Sequence, residues 1–156
     1  MNKKSLKKFL FDANQAGYAK GEEKKWIKED DGSTTIPFKK GSWQLHDNFF
    51  GGEPYGGRTV VFHQEKPVWM MVYFGWVVKE AETNQVYQLL REALKQMPKE
   101  YPFRGPESYQ EGNYHYRNAW KGTVEKFSGK EQILKNTKVV YQASYIGGLV
   151  DQRGGI

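Results

Sequence analysis

The chain has no cysteine among its 156 residues. Disulfides, thiolate metal sites and a cysteine nucleophile are therefore excluded. No run of roughly eighteen apolar residues occurs, so hydropathy offers no membrane-spanning helix. The opening MNKKSLKKFL carries charge but no apolar central region and does not read as a signal peptide. A bacterial-style cytoplasmic protein is the expectation. Catalytic signatures are also missing: there is no G-x-S-x-G elbow, no P-loop and no G-x-G-x-x-G after a strand. Arginine is scarce, at five of the 24 basic residues.

Aromatic residues, by contrast, make up 15% of the chain, enough for a sizeable core, and the length suits a single domain over 1–156. The net charge is +6. The first forty residues hold ten lysines and six acids, which raises nucleic-acid binding through the N-terminal lysines. The lysines are interleaved with acids, as in GEEKKWIKEDDG, and arginine is the better reader of bases and phosphates. A solvated surface is the favoured reading of that segment, and nucleic acid is not the expected partner.

Periodicity predicts two helices. SLKKFLFDANQAGYAKG places Leu6, Phe9, Leu10, Ala13 and Ala16 on one face, with Ser5 as a candidate cap and Gly17 as a stop. ETNQVYQLLREALKQMP does the same with Val86, Leu89, Leu90, Ala93 and Met97, capped by Thr83. Between Tyr18 and Lys40 the chain reads as a polar, mobile segment or an excursion over one face. Strands are predicted at 42–50, in RTVVFH, over 66–78, in NYHYRNAW, from VEKF into EQILK, and in KVVYQASYIGGLV; the tail DQRGGI reads as loose.

A shift of 72 residues aligns Gly57 with Gly129, Trp69 with Tyr141, Tyr73 with Tyr145 and Gly75 with Gly147; a shift of 70 aligns Asn48 with Asn118. These matches predict an internal duplication with halves near 5–78 and 82–150. The expected fold class is α+β: two tandem α-β-β-β repeats forming a curved antiparallel sheet with helices packed on it. The strand KPVWMMVYFGWVV is apolar at both alternating sets of positions. One set, Trp69, Met71 and Tyr73, is apolar in both halves and is expected to face the helices or a cavity. The other, with Met70, Val72 and Phe74, needs a cover: the preceding loop, the first helix or a second copy forming a homodimer.

Several stretches, FLFDANQAGYA, HDNFFGG, KPVWMMVYFG, PFRGP, FSGKEQI and VVYQASYIGG, together resemble a bacterial domain-of-unknown-function family sometimes found fused behind Cro/XRE-type helix-turn-helix repressors. The resemblance covers nearly the whole chain. It implies a compact cytoplasmic domain, a sensor or effector role and no assigned reaction. No helix-turn-helix segment is read in these residues, which argues against direct repression.

Among individual residues, Arg104 stands out. It sits in PFRGP, where prolines on both sides stiffen the backbone, and a fixed guanidinium suits a carboxylate or phosphate. The competing role is structural, as the partner of an internal carboxylate or a cap on the second helix. Trp69, Tyr73, Trp120, Tyr141 and Tyr145 are candidate pocket walls, with Trp43 and Phe50, against a competing role in the core. The histidines His46, His63 and His115 lack metal-ligand spacing, so neither metal nor other cofactor is expected. The function predicted is a non-enzymatic binding or sensor domain for a small ligand or partner protein, with Arg104 as charged anchor and the Tyr73 and Tyr145 hydroxyls orienting the ligand. The alternative is a small enzyme pairing Asp47 with His63 or His115, or using His46.

Overall fold

The structure is a computed structural model that describes residues 2–19 and 25–153. Helix α1 (Lys3–Ala19) is followed by β1 (Ile27–Lys28), β2 (Thr34–Lys40), β3 (Trp43–Gly51), β4 (Tyr55–His63) and β5 (Lys66–Val77). Helix α2 (Thr83–Lys95) then leads to β6 (Ser108–Glu111), β7 (Tyr114–Thr123), β8 (Lys126–Lys135) and β9 (Lys138–Leu149). The nine strands form one sheet in the order β1-β2-β3-β4-β5-β9-β8-β7-β6, and every neighbouring pair is antiparallel. Neither helix is long and apolar enough to cross a membrane.

This corrects the expectation of two tandem α-β-β-β repeats in an α+β fold with helices packed on a curved sheet. Among the described residues the chain is mostly a nine-stranded antiparallel sheet with only two helices, 20% helical and 51% strand. The first helix is followed by five strands and the second by four. The extra strands lie in segments that polarity disguised. Thr34–Lys40 sets Ile36 and Phe38 on either side of Pro37, between threonines and lysines, and its β-branched start suits a strand. Pro37 lies beyond the two residues that β1 covers, at a sheet edge where a strand tolerates proline. Part of the predicted polar segment (20–24) and the last three residues of the predicted loose tail lie outside the described residues.

The two strands at the centre, β5 and β9, pair with Tyr73 directly opposite Tyr145, positions 72 apart. Flanking pairs follow the same offset: a register shift falls at Val61/Phe62 on one side and at Ile133/Leu134 on the other. Upstream the offset is 71, because β3–β4 and β7–β8 place Asp47 opposite Thr59 and Asn118 opposite Glu131. In register, Asn118 occupies the position that Asp47 occupies on the other half of the sheet.

The faces sort by strict alternation along β5: Trp69, Met71, Tyr73, Gly75 and Val77 are buried, while Val72, Phe74 and Trp76 are exposed. The inner face carries two clusters. Leu6, Phe9 and Leu10 of α1 join Val61, Trp69, Phe103 and Phe127 in one. Val86, Leu89 and Leu90 of α2 join Tyr116, Ile133 and Tyr141 in the other. Cap assignments also shift. Asn2 Oδ1 accepts the Lys4 amide at 2.9 Å in place of the predicted Ser5 cap, and α2 starts from Glu82, which makes no side-chain cap bond.

The large rings fit because glycines stand opposite them. A Cβ at Gly57 would lie 2.7 Å from the Tyr73 hydroxyl, and one at Gly129 would run into the Tyr145 ring. Overpacking of this kind costs about 1–3 kcal/mol. Gly129→Ala is thus expected to lower urea-unfolding stability by at least that amount. Gly52→Ala, whose Cβ would meet nothing within 4 Å, should leave it within about 0.5 kcal/mol.

Candidate functional site

Between α2 and β6 the segment Tyr101–Pro106 folds onto the inner face. Phe103 stacks on Phe127 with centroids 3.9 Å apart and planes 1° from parallel. The Gly105 amide donates to the Tyr116 hydroxyl at 3.1 Å, and Asn118 Nδ2 donates to the Gly105 carbonyl at 2.9 Å. Arg104, held between these contacts, turns inward. Its Nε donates to Glu131 Oε1 at 3.1 Å and its Nη2 donates to the same oxygen and, at 3.4 Å, to the Tyr55 hydroxyl.

Glu131 is fully buried. Beyond Arg104, Tyr141 donates to its Oε1 at 2.9 Å and Tyr116 to its Oε2, so both oxygens are satisfied. Tyr55 and Tyr141 share a hydroxyl contact. The guanidinium also lies over the Tyr73 ring, 5.6 Å from its centroid. Tyr73 in turn donates to Asp47 Oδ1 at 2.6 Å, where Thr59 donates at 3.2 Å. Tyr145 makes the matching bond on the other half of the same face, to Asn118 Oδ1 at 2.8 Å.

Electrostatics follow from this burial. Desolvation, then the charge of Glu131, pushes the phenol of Tyr116 well above its ordinary range. Desolvation is also the leading cause for Tyr141, with Glu131 next. For Tyr73 burial comes first and Asp47 second. Burial is the largest influence on Arg104 and works against its charge, but Glu131, Tyr55 and Tyr141 together more than offset it and raise its pKa. The phenols are thus hydrogen-bond donors and the guanidinium is charged.

Beside this network lies a cavity of about 380 Å³ between α1, the inner face of β2–β5 and the Pro102–Arg104 segment. Leu10, Ala13 and Ala16 wall it from α1, and Phe38, Trp69 and Phe103 from the other side. Its polar lining includes Tyr18, Asp47, Thr59 and Arg104. Among the predicted site residues, Arg104 and Trp69 line the cavity, and Tyr73 adjoins it through Asp47. Tyr141 and Tyr145 lie deeper in the polar network. Trp120 lies elsewhere, tilted against Tyr101 at 5.5 Å over a separate groove. None of the histidines lines the cavity. His46 packs on Phe62 at 5.1 Å, His63 on Trp43 at 4.3 Å, and His115 bonds Ser108 at 2.7 Å. Among the described residues no group of His, Asp and Glu could hold a metal ion.

Sequence reasoning did not single out Glu131, Tyr116, Tyr55 or Thr59. One signal was present: Glu131 falls in the same alternating set as Phe127, Gly129 and Ile133, a carboxylate at an inward position where only a buried partner could keep it.

The family model described as domain of unknown function (DUF5680) matches residues 47–150, 104 of the 156 residues. The chain belongs to this family, whose match spans β3 to β9 and includes Asp47, Arg104 and Glu131. Comparison with curated proteins and with solved structures gives no match.

Two outcomes are expected. Removing Glu131 alone (Glu131→Leu) strands a buried guanidinium and should cost about 3–5 kcal/mol in urea unfolding, while the double replacement Arg104→Leu/Glu131→Leu should cost less than that single change. Equal or additive losses would contradict this. The raised phenols keep stability intact below the unfolded tyrosine value near 10 and forfeit it as pH climbs above that value. Phenolate absorbance of the buried tyrosines should therefore appear together with loss of tertiary circular dichroism. Titration of every tyrosine in the folded protein would contradict the burial described.

Proposed function

We propose that this protein is a non-enzymatic binding or sensor domain that holds a small molecule in the cavity beside α1. One observation carries the reading. Apolar walls of Trp69, Phe38 and Phe103 converge on Asp47 and Arg104, which partners of their own already hold in place. A cavity of this size and lining is the usual form of a small-ligand site, and fixed polar groups lose little entropy on binding.

The charge balance narrows the ligand. Glu131 offsets the guanidinium charge and Lys25, also in the lining, offsets Asp47, so Arg104 is a hydrogen-bond donor rather than a strong anion trap. Asp47 supplies an acceptor. The complement is a compact, nearly neutral molecule with a flat apolar body and one end that both donates and accepts, such as a carboxamide or a hydroxylated ring. An acid–base enzyme using a histidine is less well supported, since no histidine reaches this lining.

Thermal unfolding with a panel of neutral aromatic amides and phenols, alongside anionic carboxylates, tests the reading. Ligands of the native state raise its stability, and roughly 1 kcal/mol moves Tm by about 2–4 °C in a chain of this length. Neutral donor–acceptor compounds are expected to raise Tm more than the anions. Ala16→Leu, which fills the cavity from α1, should abolish the shift while leaving the unliganded protein folded. A panel without any stabilising member, or shifts unchanged in the filled variant, would defeat the proposal.

A further inference from the structure

The outer face of the sheet, opposite the cavity, combines two features that linear sequence scatters. Its centre exposes large apolar side chains: Phe50 is 50% exposed, Val72 45%, Phe74 53%, Trp76 38% and Ile146 62%. Phe74 and Trp76 present neighbouring rings, 6.0 Å between centroids. Strand register brings Phe50, Gly56, Phe74, Ser144 and Lys130 into one row across β3, β4, β5, β9 and β8. At strand spacings of about 4.8 Å the row spans roughly 19 Å.

The second feature is charge. Arg58 stands beside Val72 on β4. Beyond Ser144 and Gly148 come Lys130 and Lys126 on β8, then Arg117 and Lys121 on β7. All five are exposed. No aspartate or glutamate occupies an outward position in β3, β4, β5, β7, β8 or β9, since Asp47 and Glu131 both point inward; exposed Glu107, just before β6, is the acid that shares a groove with Arg117, Lys121 and Lys130. None of these five cations enters an ion pair among the described residues. Asp31, in the turn before β2, senses Arg58 only as the last of several influences.

We propose that this face binds single-stranded nucleic acid. Exposed rings on a sheet face stack unpaired bases, and flanking lysines and arginines neutralise phosphates. A duplex keeps its bases stacked within itself and offers nothing to Phe74 or Trp76. The same charges oppose a second copy docking face to face, because Arg58, Lys126 and Lys130 would meet cations across the interface. This surface is separate from the N-terminal lysines and from the cavity, so it does not depend on the ligand reading.

The test is fluorescence anisotropy with labelled oligothymidylate and oligouridylate of about a dozen nucleotides, with a duplex and heparin as comparators. Single strands are expected to bind at low salt, quench tryptophan emission, and weaken steeply as salt rises. Phe74→Ala, at an exposed position, should reduce affinity about tenfold, in line with the loss of one stacked base. Lys130→Glu should weaken binding and flatten the salt slope. A preference between the two oligomers identifies DNA or RNA. Several results would overturn the proposal: no binding at low salt, duplex or heparin binding equal to single strands, indifference to Phe74→Ala, or a dimer in sedimentation that Phe74→Glu dissolves.

Discussion

The buried pair of Arg104 and Glu131 is the constraint on which the inner face depends. A carboxylate without exposed surface is tolerable only with its charge matched and its lone pairs filled. Arg104, Tyr116 and Tyr141 supply both. Because Arg104 comes from the Tyr101–Pro106 segment and Glu131 from β8, the pair pins a loop to a strand at a defined place. Phe103, one residue earlier, is carried onto Phe127, and Gly105, one residue later, onto Tyr116. The loop that closes one side of the cavity is thereby fixed by charge, stacking and backbone bonding together.

The sheet places this pair in one of two matching halves. Tyr73 and Tyr145 face each other at the centre, and each hydroxyl donates to a side chain two strands away, Asp47 on one side and Asn118 on the other. The next inward position is Thr59 on one side and Glu131 on the other. Symmetric pairing thus carries asymmetric chemistry. The side with Glu131 is filled by Arg104 and tyrosines, whereas the side with Thr59 leaves Asp47 at a cavity wall. Small residues of α1, Ala13 and Ala16, keep that space open.

Much of this was legible in the chain and some was not. The central strands, the second helix and the inward set Trp69, Met71 and Tyr73 follow from alternation and helical spacing. The tandem helix-and-three-strand plan failed because β2 is built from Thr34, Thr35, Pro37 and two lysines, whose polarity masks a strand with only two inward apolar residues. Arg104 attracts notice through its prolines, and pairing to an internal carboxylate is one of the two structural roles weighed against that of ligand anchor. That the carboxylate is Glu131 required the β7–β8 register, since it stands 27 residues downstream. Trp120 was grouped with the pocket aromatics on residue type alone, and type does not reveal which end of a sheet a ring occupies. The gathering of cations and rings on the outer face is likewise a product of register, invisible while lysines are counted along the chain.

Native-state hydrogen exchange at the Gly105 and Asn118 amides tests the central claim most directly. Gly105 donates to the Tyr116 hydroxyl and Asn118 to the Glu107 carbonyl at 3.0 Å, so both report on the pinned segment. If the Arg104–Glu131 pair fixes the loop, these amides open only with global unfolding, as slowly as those of β5 and β9. Exchange at the rate of an open surface loop, while the central strands stay protected, would contradict it.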